Sequence, residues 1–139
     1  MILTKGEAAV ARARALIGMR FVAQGRDPSI GLDCVGLALI AYTVDPAGIR
    51  DDYRLSGAHR GAILHFAHAT FRRVSRRRPR CGDLLLLQPG ATQWHLGIWT
   101  GGGLIHADIA SRRIVERPGP VEWRVAAALR RRTRVGQGS

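Results

Sequence analysis

"GDLLLLQPGATQWHLGIWTGGGLIHADI", residues 82–109, decides the fold. Three apolar runs, LLLLQ, WHLGIWT and LIHADI, are separated by PGATQ and GGG, residues that turn a chain rather than extend it. Each run has the length of a strand and is too short for a helix, so the stretch reads as an antiparallel meander. The same rhythm continues toward the C-terminus, with ASRR, IVER, PGP and VEWRVAAALRR in succession. The sheet therefore has about five to six strands.

On the N-terminal side the pattern changes. Thr4 and Glu7 form a capping-box pair ahead of EAAVARARALIG, which predicts a helix ending near Gly18. GMRFVAQGRDPSIG has the glycine and proline content of a loop. It leads to Asp33, a good helix cap, and to an apolar helix from about Cys34 to Thr43 whose aliphatic face should pack on the strand of Leu84 to Leu87. A third helix is expected over AHRGAILHFAHATFRRV, from the recurrence of Ile63, Ala67, Phe71 and Val74, until Pro79 ends it. Helices first and strands afterwards argue an α+β fold, N-terminal helices packed on one side of a curved antiparallel sheet. At 139 residues the chain has the length of one domain, read as residues 1–135 with a flexible tail at 136–139.

Two of the five histidines lie on neighbouring strands. In WHLGIWT, alternation puts His95, Gly97 and Trp99 on one face; in LIHADI it groups Leu104, His106 and Asp108. An even hairpin centred on Gly101 and Gly102 pairs residue 97 with 106 and residue 95 with 108. His95, His106 and Asp108 then share a face. Gly97, without a side chain, leaves His106 room to lean across the diagonal of about 7 Å toward His95. His59, His65 and His68 belong to the third-helix region and have no thiol or carboxylate at ligand spacing.

Cys34 begins a helix, where the positive end of the backbone dipoles favours a thiolate, and the thiolate is the attacking form. A nearby histidine would take its proton, and a further polar group would orient that histidine. A packed apolar cysteine would fit the same run VGLALIAY equally well. Cys81 precedes the Gly82–Asp83 turn, with no helix end to favour its thiolate. There is no CxxC pair to suggest a structural metal site.

The formal charge of +12 rests on 22 basic residues, all arginine except Lys5. RRVSRRRPR, residues 72–80, holds six of them and is expected on the surface, assisting attachment to an anionic polymer. Without interleaved aromatics or a reading helix, it does not predict specific nucleic-acid binding. No apolar run is long enough to span a bilayer, and the arginine-containing N-terminus does not read as a secretory signal.

Together, "GLDCVGLALI", "GDLLLLQ" and "HLGIWTGGGLIHA", with "IGMRFVAQG" ahead of them, resemble the NlpC-type cell-wall peptidases, cysteine endopeptidases with a papain-like core. The resemblance implies Cys34 as nucleophile, His95 as general base and acid, and His106 as the residue orienting His95, with Asp108 as the alternative orienter. It implies no cofactor and no metal. The substrate it implies is the peptide stem of bacterial peptidoglycan, cut between D-γ-glutamyl and diaminopimelate residues. "RFVAQG" and the compact arrangement look most like peptidases of prophage and gene transfer agent tail clusters. A protein of that kind would be made in the cytoplasm, travel in a particle beside phage-like tail proteins, and act in the periplasm. One position departs from the family. Where many members have a tyrosine ahead of the nucleophile, this chain has Phe21, whose ring donates no hydrogen bond. Oxyanion stabilisation then falls to the Cys34 backbone N–H behind the Asp33 cap, or to the side-chain amide of Gln24.

Other readings use the same residues. An acyltransferase of the same fold would need the same three side chains but a greasy tunnel in place of an open polar cleft. A structural tail component would keep the fold without the chemistry. A zinc site would gather Cys34, Cys81, His95 and His106.

Overall fold

The structure is a computed structural model, and it describes residues 2–22, 26–27, 31–44 and 70–132. Helix α1 spans Lys5–Arg14. The Thr4 side chain accepts from the Glu7 backbone N–H at 3.0 Å, and Glu7 Oε1 accepts from the Thr4 N–H at 2.9 Å, so the expected capping box forms. Ala9, Val10 and Ala13 are its buried face. The chain turns at Gly18, whose φ of 92° suits glycine.

A two-stranded antiparallel pair, β1 (Arg26–Asp27) and β2 (Gly31–Leu32), leads into helix α2, Cys34–Ala41. All of α2 is buried except the half-buried Ile40, which explains why its sequence shows no polar stripe. The remaining strands are β3 (Phe71–Val74), β4 (Leu84–Gly90), β5 (Gln93–Trp99), β6 (Gly103–Asp108), β7 (Arg113–Pro118) and β8 (Arg124–Arg131). They form one antiparallel sheet in the order β3-β8-β4-β5-β6-β7.

Both faces of the sheet carry apolar clusters, so β4 reads as four consecutive leucines rather than as an alternation. Leu84 and Leu86 join Leu96, Ile98, Ile105, Ala107 and Ile114 in a cluster with α1 and α2. Leu85 and Leu87 join Leu104 and Ala128 in a second cluster, with Trp99, Val121, Trp123 and Val125 against it. Burying each leucine or isoleucine contributes about 1.5–3 kcal/mol before chain entropy is charged against it.

The Gly82–Asp83 pair ties this core together. Gly82, at φ 92°, lies so near Gly6 that a Cβ would sit 2.2 Å from the Gly6 Cα. The buried Tyr42 hydroxyl donates to the Gly82 carbonyl at 2.7 Å. Asp83, 1% exposed, accepts from Arg130 Nε and Nη2 at 2.8 Å each and from the Arg80 N–H at 2.7 Å.

One expectation needs correction. Phe71 and Val74 lie in strand β3, not at the end of a third helix; Ile63 and Ala67 lie outside the described residues. Pairing with β8 decides the matter, with Phe71 opposite Arg131 and Val74 opposite Ala128, because an aromatic and a β-branched residue suit a strand at a sheet edge. Helix α2 shares its core cluster with Leu84 and Leu86 of β4, as expected, and its backbone lies nearest β5 and β6.

Candidate active site

Asp33 is fully buried, and its Oδ1 accepts from the Gly36 N–H at 2.8 Å, capping α2 as expected. Cys34 is therefore the first residue of the helix, 1% exposed and placed at the positive end of its backbone dipoles. Neither cysteine is disulfide-bonded. Because α2 packs on β5 and β6, the helix start is carried by the layer that covers the two histidine-bearing strands.

The β5–β6 register is the expected one, with Gly97 opposite His106. His95 Nε2 lies 3.0 Å from His106 Nδ1, so the two imidazoles share a proton-mediated contact. His95 is 7% exposed and His106 is fully buried. Leu104 also packs over Gly97. A Cβ there would lie 2.5 Å from Leu104 Cδ1, so the tip of Leu104 fills that space.

The contact defines what each nitrogen can do. If His95 donates from Nε2 to His106 Nδ1, its Nδ1 carries a lone pair and can accept a thiol proton. If the proton belongs to His106 Nδ1, a neutral His95 is protonated at Nδ1 and cannot act as a base there. Burial holds the His106 pKa below its ordinary value, with Asp108 opposing and Arg117 reinforcing the shift more weakly. A neutral His106 is what the first arrangement needs.

Asp108, the alternative orienter, has Oδ2 accepting from the Ser111 N–H at 3.0 Å, and its bonding to Ser111 lowers its carboxyl pKa. It closes the turn after β6 while His106 meets His95. Phe21 is half-buried against the helix-side core, its N–H donating to the Arg112 carbonyl. Gln24 lies outside the described residues, as do His59, His65 and His68. Burial raises the Cys81 pKa, with Glu7 adding to the effect, so its thiol stays protonated where a nucleophile would not. Among the described residues no three His, Cys, Asp or Glu side chains are grouped to hold a metal ion, so Cys34, Cys81, His95 and His106 form no such cluster.

One neighbour was not singled out from the sequence. Trp123, just before β8, stands nearly perpendicular to both imidazoles, with ring centroids 5.7 Å from His95 and 5.2 Å from His106. Its only sequence signal is a tryptophan at the head of the last strand.

A profile of the NlpC/P60 family matches residues 18–126. Among solved structures, the NlpC/p60 domain of the peptidoglycan hydrolase SagA is similar at 29% identity and a TM-score of 0.58, over 81% of this chain and 88% of that one. The peptidoglycan hydrolase RipB of Mycobacterium tuberculosis aligns at 22% identity and a TM-score of 0.60, over 91% of this chain but only 64% of its own. RipD of the same organism is described as a non-catalytic NlpC/p60 domain protein adapted to peptidoglycan binding. It aligns at 19% identity and a TM-score of 0.57, over 93% and 98% of the two chains. At these lower identities RipB and RipD bear on the fold alone. Comparison with curated proteins gives no match.

Proposed function

We propose, from the premise that this chain belongs to the NlpC/P60 family, that it is a cysteine peptidase hydrolysing peptide stems of bacterial peptidoglycan through an acyl-enzyme on Cys34. The observation that carries this reading is the buried His95–His106 contact, made through His95 Nε2. It leaves Nδ1 as the nitrogen with which His95 serves Cys34 at the head of α2.

In the reaction, His95 Nδ1 takes the Cys34 thiol proton and the sulfur attacks the carbonyl carbon of the scissile amide. The oxyanion is met by the Cys34 backbone N–H at the helix start, with the Gln24 amide as second donor in place of the hydroxyl that Phe21 lacks. His95 then returns the proton to the leaving nitrogen as the C–N bond breaks. A water molecule, deprotonated by His95, attacks the thioester, and the C–S bond breaks to restore the thiol. His106 orients His95 throughout.

The bond we assign is the one between D-γ-glutamyl and diaminopimelate residues, and the setting a phage-like or gene transfer agent particle. Both rest on the resemblance of the nucleophile, GDL and histidine blocks and of "RFVAQG". Incubating the pure protein with diaminopimelate-type peptidoglycan and weighing the released fragments tests the bond; proteomics of purified particles tests the setting. Fragments ending at another residue would move the assignment to that bond.

Phe21 favours a second reading, a wall-binding protein without turnover, the function ascribed to RipD. It predicts binding to peptidoglycan and no released fragments.

A further inference from the structure

We propose that Trp123 is a positioning residue, holding the His95–His106 pair in the tautomer that lets His95 act as a base. The inference rests on the peptidase reading for its catalytic meaning, but its structural core is independent of turnover. The three rings stand mutually near perpendicular, at 86° between the imidazoles, 81° between Trp123 and His95, and 88° between Trp123 and His106.

The chemistry of the pair makes such a neighbour necessary. For His95 Nδ1 to accept a proton, its Nε2–H must donate to His106 Nδ1, and a neutral His106 must then carry its own proton on Nε2. That atom is buried and has no hydrogen-bond partner. The opposite tautomer would leave only a lone pair at His106 Nε2, a milder loss, and would protonate His95 on Nδ1. By itself the buried pair therefore leans toward the form that cannot take the thiol proton. In the proposed arrangement Trp123, perpendicular to His106 at a centroid distance of 5.2 Å, turns its electron-rich indole face toward His106 Nε2 and corrects the balance, because an aromatic face accepts an N–H but repels a lone pair.

Trp123 is well held for this purpose. It directly precedes β8, is half-buried, and packs on the cluster of Leu85, Leu87, Leu104 and Ala128.

The test compares Trp123→Phe, which keeps an aromatic face, with Trp123→Leu, which keeps apolar bulk alone. Nitrogen-15 NMR of histidine-labelled protein in a Cys34→Ala background reads the tautomers directly, without any substrate. The protein with Trp123 intact and the Trp123→Phe variant should both show the two histidines protonated on Nε2, and the leucine variant should move the protons to His106 Nδ1 and His95 Nδ1. On peptidoglycan fragments the leucine variant, with Cys34 intact, should lose about tenfold or more in kcat while KM changes by less than about twofold; phenylalanine should restore most of the loss. Unchanged tautomers in the leucine variant would overturn the proposal, as would a loss confined to KM. If the parent protein shows no turnover, the peptidase reading fails while the tautomer result still decides the role of Trp123. Should the leucine variant not fold, tryptophan fluorinated on the ring keeps the shape and weakens the face. A tautomer shift that grows with fluorination, and is absent in fluorinated Trp123→Phe protein, supports the role, and a flat response overturns it.

Discussion

Gly97→Ala tests whether the β5–β6 contact is as tight as the geometry says. The added Cβ would lie 2.5 Å from Leu104 Cδ1, 3.0 Å from Cγ and 3.2 Å from Cδ2. Favourable carbon contacts begin at about 3.5 Å, so the Leu104 tip must retreat by about 1 Å. Leu104 is only 4% exposed and packs against Leu85 and Leu87, leaving it little room. Overpacking of this kind costs about 1–3 kcal/mol, and the reduced freedom of the unfolded chain returns about 0.4–1 kcal/mol. The expected net loss is about 1–2 kcal/mol, or a fall in Tm of about 3–8 °C for a chain of this length. Leu104→Ala alone should cost about 2–5 kcal/mol. In the double variant the methyl group introduced by Gly97→Ala occupies part of the vacated space, so urea unfolding should show a favourable coupling of about 1 kcal/mol or more. Additive losses, or a stabilising Gly97→Ala, would refute the reasoning. Activity should fall further than stability, because Gly97 is the residue opposite His106.

Arg130→Met removes both hydrogen bonds that the Arg130 guanidinium gives the buried Asp83; with Arg130 itself about a quarter exposed, the loss should be about 2–4 kcal/mol by chemical denaturation. A companion Asp83→Asn in the same protein should recover part of it. Acid should weaken the fold through His106. Its folded pKa lies below the ordinary 6.5, so the unfolded chain binds the proton first. The stabilisation is present above 6.5 and disappears as pH falls toward the folded value; His106→Gln should flatten the slope of stability between about pH 7 and pH 5. Arg76, Arg77 and Arg78 are exposed, as the sequence predicted. Replacing all three with Gln should weaken sedimentation with wall sacculi and reduce its salt dependence, while hydrolysis of small soluble fragments stays unchanged.

The parts of the fold most readable from sequence are those set by local chemistry. Thr4 with Glu7 and Asp33 with Gly36 mark helix starts through side chains that bond amides three residues away. The glycine turn at 101–103 fixes the register that joins His95 to His106, because alternation leaves few choices once the turn length is known. Phe71 to Val74 misled because apolar residues three apart with arginines between them fit a helix face. The same residues fit an edge strand, and only the distant pairing with β8 separates the two. Long-range partners left no pattern at all. Asp83 finds Arg130 47 residues away, and Trp123 reaches the histidines only because the chain after β7 returns across the sheet. The tip of Leu104 above Gly97 is likewise a matter of side-chain packing that alternation does not resolve.

The central claim is that Cys34, assisted by His95, is the nucleophile. The measurement that addresses it most directly is fragment release from diaminopimelate-type peptidoglycan by the parent protein, Cys34→Ala, His95→Ala and Cys81→Ala, each checked for folding by circular dichroism and assayed with an alkylating agent or a chelator. The parent and Cys81→Ala should release fragments, Cys34→Ala and His95→Ala should be folded and silent, and alkylation of Cys34 alone should stop the parent. A fully active Cys34→Ala protein, or inhibition by chelators and not by alkylation, would contradict the account.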